Sequence, residues 1–425
     1  MTMPSFKRIP SPLGIWRACL LAGAVAVTAS ASPSTKRTSN HQHQQQRRAD
    51  VSACKLPADN SVDLSSGFGF AADCAPSTGT LRAFMFFVDF SDQEATGTGD
   101  DTPEALRDFF VPGAAEWYAT ASYGALALNV TADTSRFYRM PATAASYGWD
   151  RGLTYEVHEQ YIQDALDGYA DGGGSAAGID ADVLYVVPTR AAALISFSPT
   201  FMGDVATRAG THVAKKAVTF GADAYEAWQY LVLNHETGHT MCLPDLYPLD
   251  GRATGLFVGG WDLMGYINGP SPDYLAWNKW RLGWLADAQV GCVDGSGSTA
   301  HTLSPVEVSS SEGAAAVADS VKAVVVRHND TAVLVAEARS RLAVDEAACA
   351  VGVLLYTVTT DTGSGEGPVQ VVDANPGSGG CADDELNDAT LTLDGTSTYS
   401  VPGWGVTVTV TGRDGDAYAI QVDVA

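Results

Sequence analysis

The chain has 425 residues, more than one average domain, and carries 49 Asp and Glu residues against 25 Lys and Arg residues, a formal net charge of −24. Its 46% hydrophobic and 17% charged residues exclude a disordered or fibrous chain. The negative charge repels nucleic acid and anionic membranes, so neither is expected as a partner. The same charge is compatible with bound Ca2+, although the sequence contains no complete calcium-loop motif.

The first 48 residues predict export from the cell. An apolar run over 18–27 follows basic residues, is too short to span a bilayer and precedes the small residues 29–31. We therefore predict a signal peptide over 1–31 and a secreted, extracellular protein without a membrane span. Residues 32–48 are polar and contain two dibasic pairs typical of processing sites, which indicates a pro-segment or linker.

Residues 49–290 alternate predicted strands and helices, as in an α/β or α+β domain. Short apolar runs predict strands over 81–90, 125–135 and 180–188. Thr102 and Pro103 supply an N-cap and a first helical residue for a helix over 103–123. Helical spacing predicts two more helices, over 153–170 and 224–241.

Residues 291–425 have a different pattern. Short β-branched runs separated by Gly, Asp and Ser predict an all-β, sandwich-like C-terminal domain. Asn129 and Asn329 each begin an acceptor sequence for N-linked glycans.

Six cysteines remain once Cys19 of the predicted signal peptide is set aside, and an even number favours disulfides in an exported chain. Six cysteines allow several connectivities, so the pairing is a hypothesis. Proximity along the sequence predicts the pairs Cys54–Cys74, Cys242–Cys292 and Cys349–Cys381.

Residues 235–239 read His-Glu-Thr-Gly-His within the third predicted helix. Residues four apart lie on the same helix face, so His235 and His239 can bind one ion, and neutral imidazole nitrogen suits Zn2+. Glu236 can reach a water in the open coordination position and act as general base. This motif predicts zinc-dependent amide hydrolysis. His158 has no second histidine four residues on, so we expect a surface histidine or one whose hydrogen bonds are satisfied within the protein.

A catalytic zinc site needs a third protein ligand. Asp245 follows the predicted end of the helix near Leu243 and Pro244, from which the chain can turn back to the metal. We expect Asp245 to be this ligand, with Asp250 and Asp262 as alternatives.

The stretch from His235 to Tyr247 resembles the immune inhibitor A type of metzincin-like secreted zinc metallopeptidase. Residues 260–266 resemble the methionine turn of that family, and the resemblance implies that Met264 forms an apolar floor under the metal. It also implies that Tyr266 offers its phenol to the metal or to the oxyanion, with Tyr247 as the rival. The family usually has glycine where this chain has Cys242.

Weaker likenesses to the family extend over residues 86–92, 122–124, 277–284 and 337–339. The resemblance implies a zincin-like or metzincin-like catalytic domain over 49–290. We interpret Glu337 and Arg339 as a structural ion pair.

The leading hypothesis is a secreted zinc endopeptidase that cleaves proteins and peptides. One alternative is a catalytically silent, zinc-stabilised binding or adhesion protein, and another is a zinc amidohydrolase or exopeptidase. The intact Glu236 favours an enzyme, because a structural zinc site needs no base. Cleavage specificity and oligomeric state do not follow from the sequence.

Overall fold

A computed structural model describes residues 50–69, 74–309 and 320–425, so the predicted signal peptide and pro-segment lie outside the described residues. The first half contains a five-stranded sheet with the order β2-β1-β3-β7-β4, in which β4 alone is antiparallel to its neighbour. The strands of this half are β1 (Gly79–Asp89), β2 (Leu126–Arg139), β3 (Val183–Pro188), β4 (Thr200–Phe201), β5 (Val205–Ala206), β6 (His212–Ala214) and β7 (Lys216–Thr219).

Helices cover both faces of this sheet. They are α1 (Pro103–Ala121), α2 (Tyr155–Asp171) and α3 (Tyr230–Thr240). Because side chains alternate along a strand, Met85 and Phe87 of β1 face the core that contains α1 and α3, whereas Phe86 and Val88 face the core that contains α2. The predicted strand–helix alternation is confirmed.

The helix starts follow local chemistry. The Thr102 side chain accepts a hydrogen bond from the Ala105 amide, as predicted for an N-cap.

The helix predicted over 224–241 is divided into a π-helical turn (Ala224–Trp228) and α3, because Gln229 takes a φ of 51°. The division allows Trp228 to line a cleft while the Tyr230 ring packs against Gly113 of α1.

The second half is rich in β-structure. Its elements are α4 (Ala276–Arg281), β8 (Val290–Val293), β9 (Gly297–Leu303), β10 (Ala323–Arg327), β11 (Ala332–Arg339), β12 (Gly352–Thr359), β13 (Val369–Val371), β14 (Thr398–Val401), β15 (Val406–Asp414) and β16 (Ala417–Val424). A five-stranded sheet, β13-β12-β11-β10-β8, shares a core with a four-stranded sheet, β14-β15-β16-β9. The protein is therefore mixed α/β, with several sheets and few helices.

The five-stranded sheet of the second half is buried on both faces. Val324 and Val326 face the four-stranded sheet, whereas Val325 between them belongs to the same core as Phe87 of the first half. The boundary predicted between residues 290 and 291 falls after the first residue of β8, and one continuous core contains residues from both sides of it.

The three disulfides are Cys54–Cys292, Cys74–Cys242 and Cys349–Cys381. Two of the predicted pairings, Cys54–Cys74 and Cys242–Cys292, are wrong. Proximity in sequence failed because Cys54 and Cys74 lie at places where the segment before β1 contacts different elements. Its 3-10 turn over residues 51–54 lies against β8, and its Ala75 amide donates to the Thr240 carbonyl at the end of α3.

Two further observations concern the described residues. Among the described residues, no helix is long and apolar enough to cross a membrane. Asn129 and Asn329 are both exposed.

A buried cluster of charged side chains links α4 and the segment before it to β11, and its Lys279 also donates to the Tyr123 hydroxyl of the first half. Arg339 lies 3.0 Å from Glu337, in agreement with the predicted ion pair, and Lys279 lies 2.6 Å from Asp273. The buried side chains of the cluster include two cations, Arg339 and Lys279, and four carboxylates, Glu307, Glu337, Asp273 and Asp345. Burial raises the pKa of Asp345 to about 7, although the charge of Arg339 opposes the shift. The neighbouring Asp273 carboxylate adds to the rise.

We predict that the protein becomes less stable as pH rises from about 4 to about 7. In this window folded Asp345 keeps a proton that the unfolded chain has lost, so the free energy of unfolding falls by up to ~1.4 kcal/mol per pH unit. The Asp345→Asn variant keeps an oxygen for the Asp273 amide and should show a flatter profile. Urea unfolding at several pH values measures this, and equal slopes for the two proteins would contradict it.

Candidate metal centre and cleft

Helix α3 presents two histidines whose ring orientation is fixed by backbone carbonyls. His235 Nδ1 lies 2.9 Å from the Leu263 oxygen, and His239 Nδ1 lies 2.8 Å from the Leu243 oxygen. A carbonyl can only accept, so each Nδ1 carries the proton, and each Nε2 keeps a free lone pair. Both side chains are buried, and their rings are perpendicular with centroids 4.8 Å apart.

Asp245 lies opposite the two free imidazole nitrogens. Its Oδ1 is 3.3 Å from His235 Nε2 and 3.2 Å from His239 Nε2, while no described residue donates a hydrogen bond to this buried oxygen. Three potential ligand atoms thus face one another. Two neutral imidazoles and one carboxylate are the donor set of a catalytic zinc site with an open fourth position, so these residues fit the predicted metal.

The electrostatics of the group also favour a cation at its centre. Burial alone would lower the pKa of His239, but the Asp245 carboxylate raises it to about 9. Burial would raise the pKa of Asp245, but His239 and His235 hold it well below its usual range. Each partner stabilises positive charge between the three side chains, whether as a proton or as a metal ion.

The alternative aspartates serve other contacts. Asp250 is exposed and pairs with Arg252 at 2.8 Å. Asp262 is buried and accepts the amides of Met264 at 2.7 Å and Leu275 at 2.8 Å, so it holds the turn around Met264. Of the three predicted candidates, the structure brings Asp245 to the histidines.

The C-terminal half of the chain positions Asp245. The Asp245 amide donates to Ser364 Oγ at 2.8 Å, and the Gly365 amide donates to the Asp245 carbonyl at 3.0 Å. Ser364 and Gly365 lie between β12 and β13, more than 100 residues after the histidines. Sequence analysis missed them, because no local pattern links this loop to α3.

Met264 packs directly against the histidine helix. A Cβ atom on Gly238 would lie 2.6 Å from Met264 Sδ and 2.7 Å from Tyr274 Oη, closer than packed atoms approach. This contact explains a glycine inside α3, where glycine costs about 1 kcal/mol relative to alanine. Met264 is fully buried at this position, while its role under a metal stays a prediction.

Glu236 is held by a residue that sequence analysis missed. Its Oε2 accepts the Thr200 hydroxyl at 2.8 Å, and the same hydroxyl is 2.8 Å from the Glu236 carbonyl. Thr200 belongs to edge strand β4, 36 residues before Glu236. Burial raises the pKa of Glu236, against the opposing effect of His235 and His239. No sequence signal marks Thr200, because its place depends on the order of the sheet.

Both candidate tyrosines line the cleft around the centre. The Tyr247 ring centroid lies 6.1 Å from that of His235, and burial, followed by Asp245, raises the pKa of its phenol. Tyr266 follows the turn around Met264 and is partly buried. The catalytic role of Tyr266 stays a prediction.

The cleft itself has a volume of about 870 Å³. Its wall includes edge strand β4, and exposed Tyr155 and Leu249 offer apolar surface at its rim. His158 also borders the cleft, but it is buried and its Nε2 lies 3.0 Å from Thr219 Oγ1, which corresponds to the second of the two expectations, a satisfied histidine.

Within the part of the chain that the structure describes, no second group of three His, Cys, Asp or Glu side chains is close enough to hold a metal ion. The expected calcium therefore stays a prediction. Comparison with models of known protein families and with curated proteins finds no match.

We predict that Asp245→Asn loses zinc while Asp250→Asn retains about one zinc ion per chain. The Asp245 change removes a donor that faces both imidazoles, whereas the Asp250 change removes an exposed carboxylate from Arg252. Metal analysis after dialysis measures the difference. The opposite pattern, with zinc lost only from Asp250→Asn, would overturn the assignment.

A second prediction concerns the turn after α3. Cys242 takes a φ of 64°, which costs about 1–2 kcal/mol for a residue with a Cβ atom. Without the disulfide to Cys74, glycine should fit this turn better than alanine. We expect Cys74→Ala/Cys242→Gly to be about 1 kcal/mol more stable than Cys74→Ala/Cys242→Ala in urea unfolding. Equal stability would show that Cys242 is not strained.

Proposed function

We propose that the protein is a secreted zinc-dependent endopeptidase with a metzincin-like catalytic domain. The observation that carries this proposal is the convergence of His235 Nε2, His239 Nε2 and Asp245 Oδ1, with Glu236 beside them in an open cleft. The resemblance of residues 235–247 and 260–266 to immune inhibitor A type peptidases supports the same function.

His235, His239 and Asp245 would hold the metal. When bound, zinc lowers the pKa of a coordinated water to about 7 and polarises a carbonyl. The carbonyls of Leu263 and Leu243 keep both imidazoles in the tautomer that this role needs. The contacts of Ser364 and Gly365 with the Asp245 backbone hold the third ligand in place.

Glu236 is the proposed general base and acid. Its carboxylate would take a proton from the attacking water and pass it to the leaving amine nitrogen. The Thr200 hydroxyl at 2.8 Å restricts one carboxylate oxygen and leaves the other for proton transfer. Burial raises the pKa of Glu236 toward the range in which a carboxyl group works well in both directions.

A phenol in the cleft would stabilise the developing oxyanion. Tyr266 is proposed from its place two residues after Met264, and Tyr247 remains the rival because of its proximity to His235 and Asp245. A phenol hydrogen bond aimed at the oxyanion would strengthen in the transition state.

The cleft suits a polypeptide rather than a small amide. Strand β4 is the edge of its sheet and lines the cleft, so an extended peptide could add hydrogen bonds to it as a further strand. The apolar rim formed by Tyr155 and Leu249 offers contacts for side chains on either side of the scissile bond.

The decisive experiment compares the zinc-loaded wild type with Glu236→Ala on casein and on a proteome-derived peptide mixture. We expect cleavage by the wild type and a loss of about 10²–10⁴-fold or more in the variant, because proton transfer is removed while the ligands remain. Zinc content and thermal unfolding serve as controls. Purified, zinc-loaded wild type that cleaves neither substrate would refute the proposal.

A further inference from the structure

Arg151 is a cation of the cleft wall without an acidic partner. Its exposed guanidinium lies 4.7 Å from the centroid of the Phe197 ring. No described carboxylate forms an ion pair with it, although acidic residues outnumber basic ones by 49 to 25 in this chain. A stacked guanidinium keeps its hydrogen-bonding edge free and restricted in orientation.

The carboxylate of Asp223, which borders the same cleft as Arg151, already accepts hydrogen bonds within the protein. Asp223 borders the same cleft, but its Oδ1 accepts the Ser198 hydroxyl and the Ala224 amide, and its Oδ2 accepts the Ser198 amide. These three contacts satisfy the Asp223 carboxylate within the protein. The donors of Arg151 therefore remain available to a ligand.

Arg151 lines the same cleft as the proposed reacting centre. Arg151, His235, Glu236 and Tyr247 all border this one cavity of about 870 Å³. A group bound at Arg151 would therefore lie in the cleft that also holds the scissile bond.

Arg252, the other arginine that lines the cleft, differs from Arg151 because it has a carboxylate partner. Arg252 pairs with Asp250 through contacts of 2.8 and 2.9 Å from its Nε, so its charge is already balanced. It stacks on Phe257 much as Arg151 stacks on Phe197. Both residues are arginines that line the same cleft and stack on a phenylalanine ring. Of these two, Arg151 lacks a carboxylate partner within the described chain.

We propose that Arg151 binds a carboxylate of the peptide substrate in the cleft that holds the candidate metal centre. This inference rests on the proposed peptidase function and names a substrate class for it, peptides with an acidic group at that subsite. The guanidinium fork matches a carboxylate with two parallel hydrogen bonds, which neutral Gln cannot reproduce. The acidic group is either an Asp or Glu side chain or the C-terminal carboxylate.

The test uses pairs of quenched fluorescent peptides built around a cleavage site found by mass spectrometry. Within each pair, Glu replaces Gln at one position flanking the cut, and a further pair compares a free C-terminus with an amide. We expect wild type to favour one acidic member by about tenfold in kcat/KM. The pair that shows the preference identifies the source of the carboxylate.

Two variants locate the preference. Arg151→Gln should reduce the discrimination to less than about twofold, whereas Arg252→Gln, the matched control, should retain it. Arg151 is exposed, so its replacement should leave the thermal unfolding unchanged. An equal loss in both variants, or none in Arg151→Gln, would overturn the assignment.

A binding measurement separates this inference from the peptidase proposal. Fluorescence anisotropy of peptide pairs with the same Glu/Gln and acid/amide differences, chosen without reference to a cleavage site, detects the acidic preference without turnover. It is measured on zinc-loaded Glu236→Ala with and without Arg151→Gln. Cleavage without any acidic preference would overturn only the inference. Acidic preference in binding that depends on Arg151, without cleavage by the wild type, would overturn only the peptidase. If the wild type shows no cleavage and no acidic preference in binding, both the peptidase proposal and the inference are overturned.

Discussion

Two imidazole lone pairs and one carboxylate oxygen meet at a point that no donor of the described chain occupies. Positive charge at this point would stabilise the arrangement, and much of the surrounding structure preserves its geometry. The carbonyls of Leu263 and Leu243 prevent the rings from turning, so the lone pairs cannot find other partners. The close contact between Gly238 and Met264 joins the helix to the turn that supplies one of these carbonyls.

The contacts that hold this arrangement come from distant parts of the chain. The loop with Ser364 and Gly365 fixes the backbone of Asp245, and the Cys74–Cys242 disulfide ties the end of α3 to the segment before β1. The β-rich half is therefore part of the site's support. The continuous core and the buried ions around Arg339 and Lys279 connect it firmly to the first half.

Charge is distributed unevenly between the surface, the interior and the cleft. The chain as a whole is strongly acidic, and its buried cluster contains more carboxylates than cations, which favours protonation of that cluster. The cleft of the proposed reacting centre nevertheless contains Arg151, which stacks on Phe197 and has no carboxylate partner among the described residues. A local positive group in an acidic protein can orient a carboxylate that the overall field would repel.

The sequence alone determined the elements and the two histidines, because strand and helix periods and a spacing of four residues are local properties. The position of Asp245 just after the predicted end of the helix also made it the preferred candidate over Asp250. Only the tertiary structure decided the disulfide pairing, the division of the helix at Gln229, and the contacts of Thr200, Ser364 and Arg151. These depend on which strands become neighbours and where loops return, and such long-range pairings leave no local pattern in the chain.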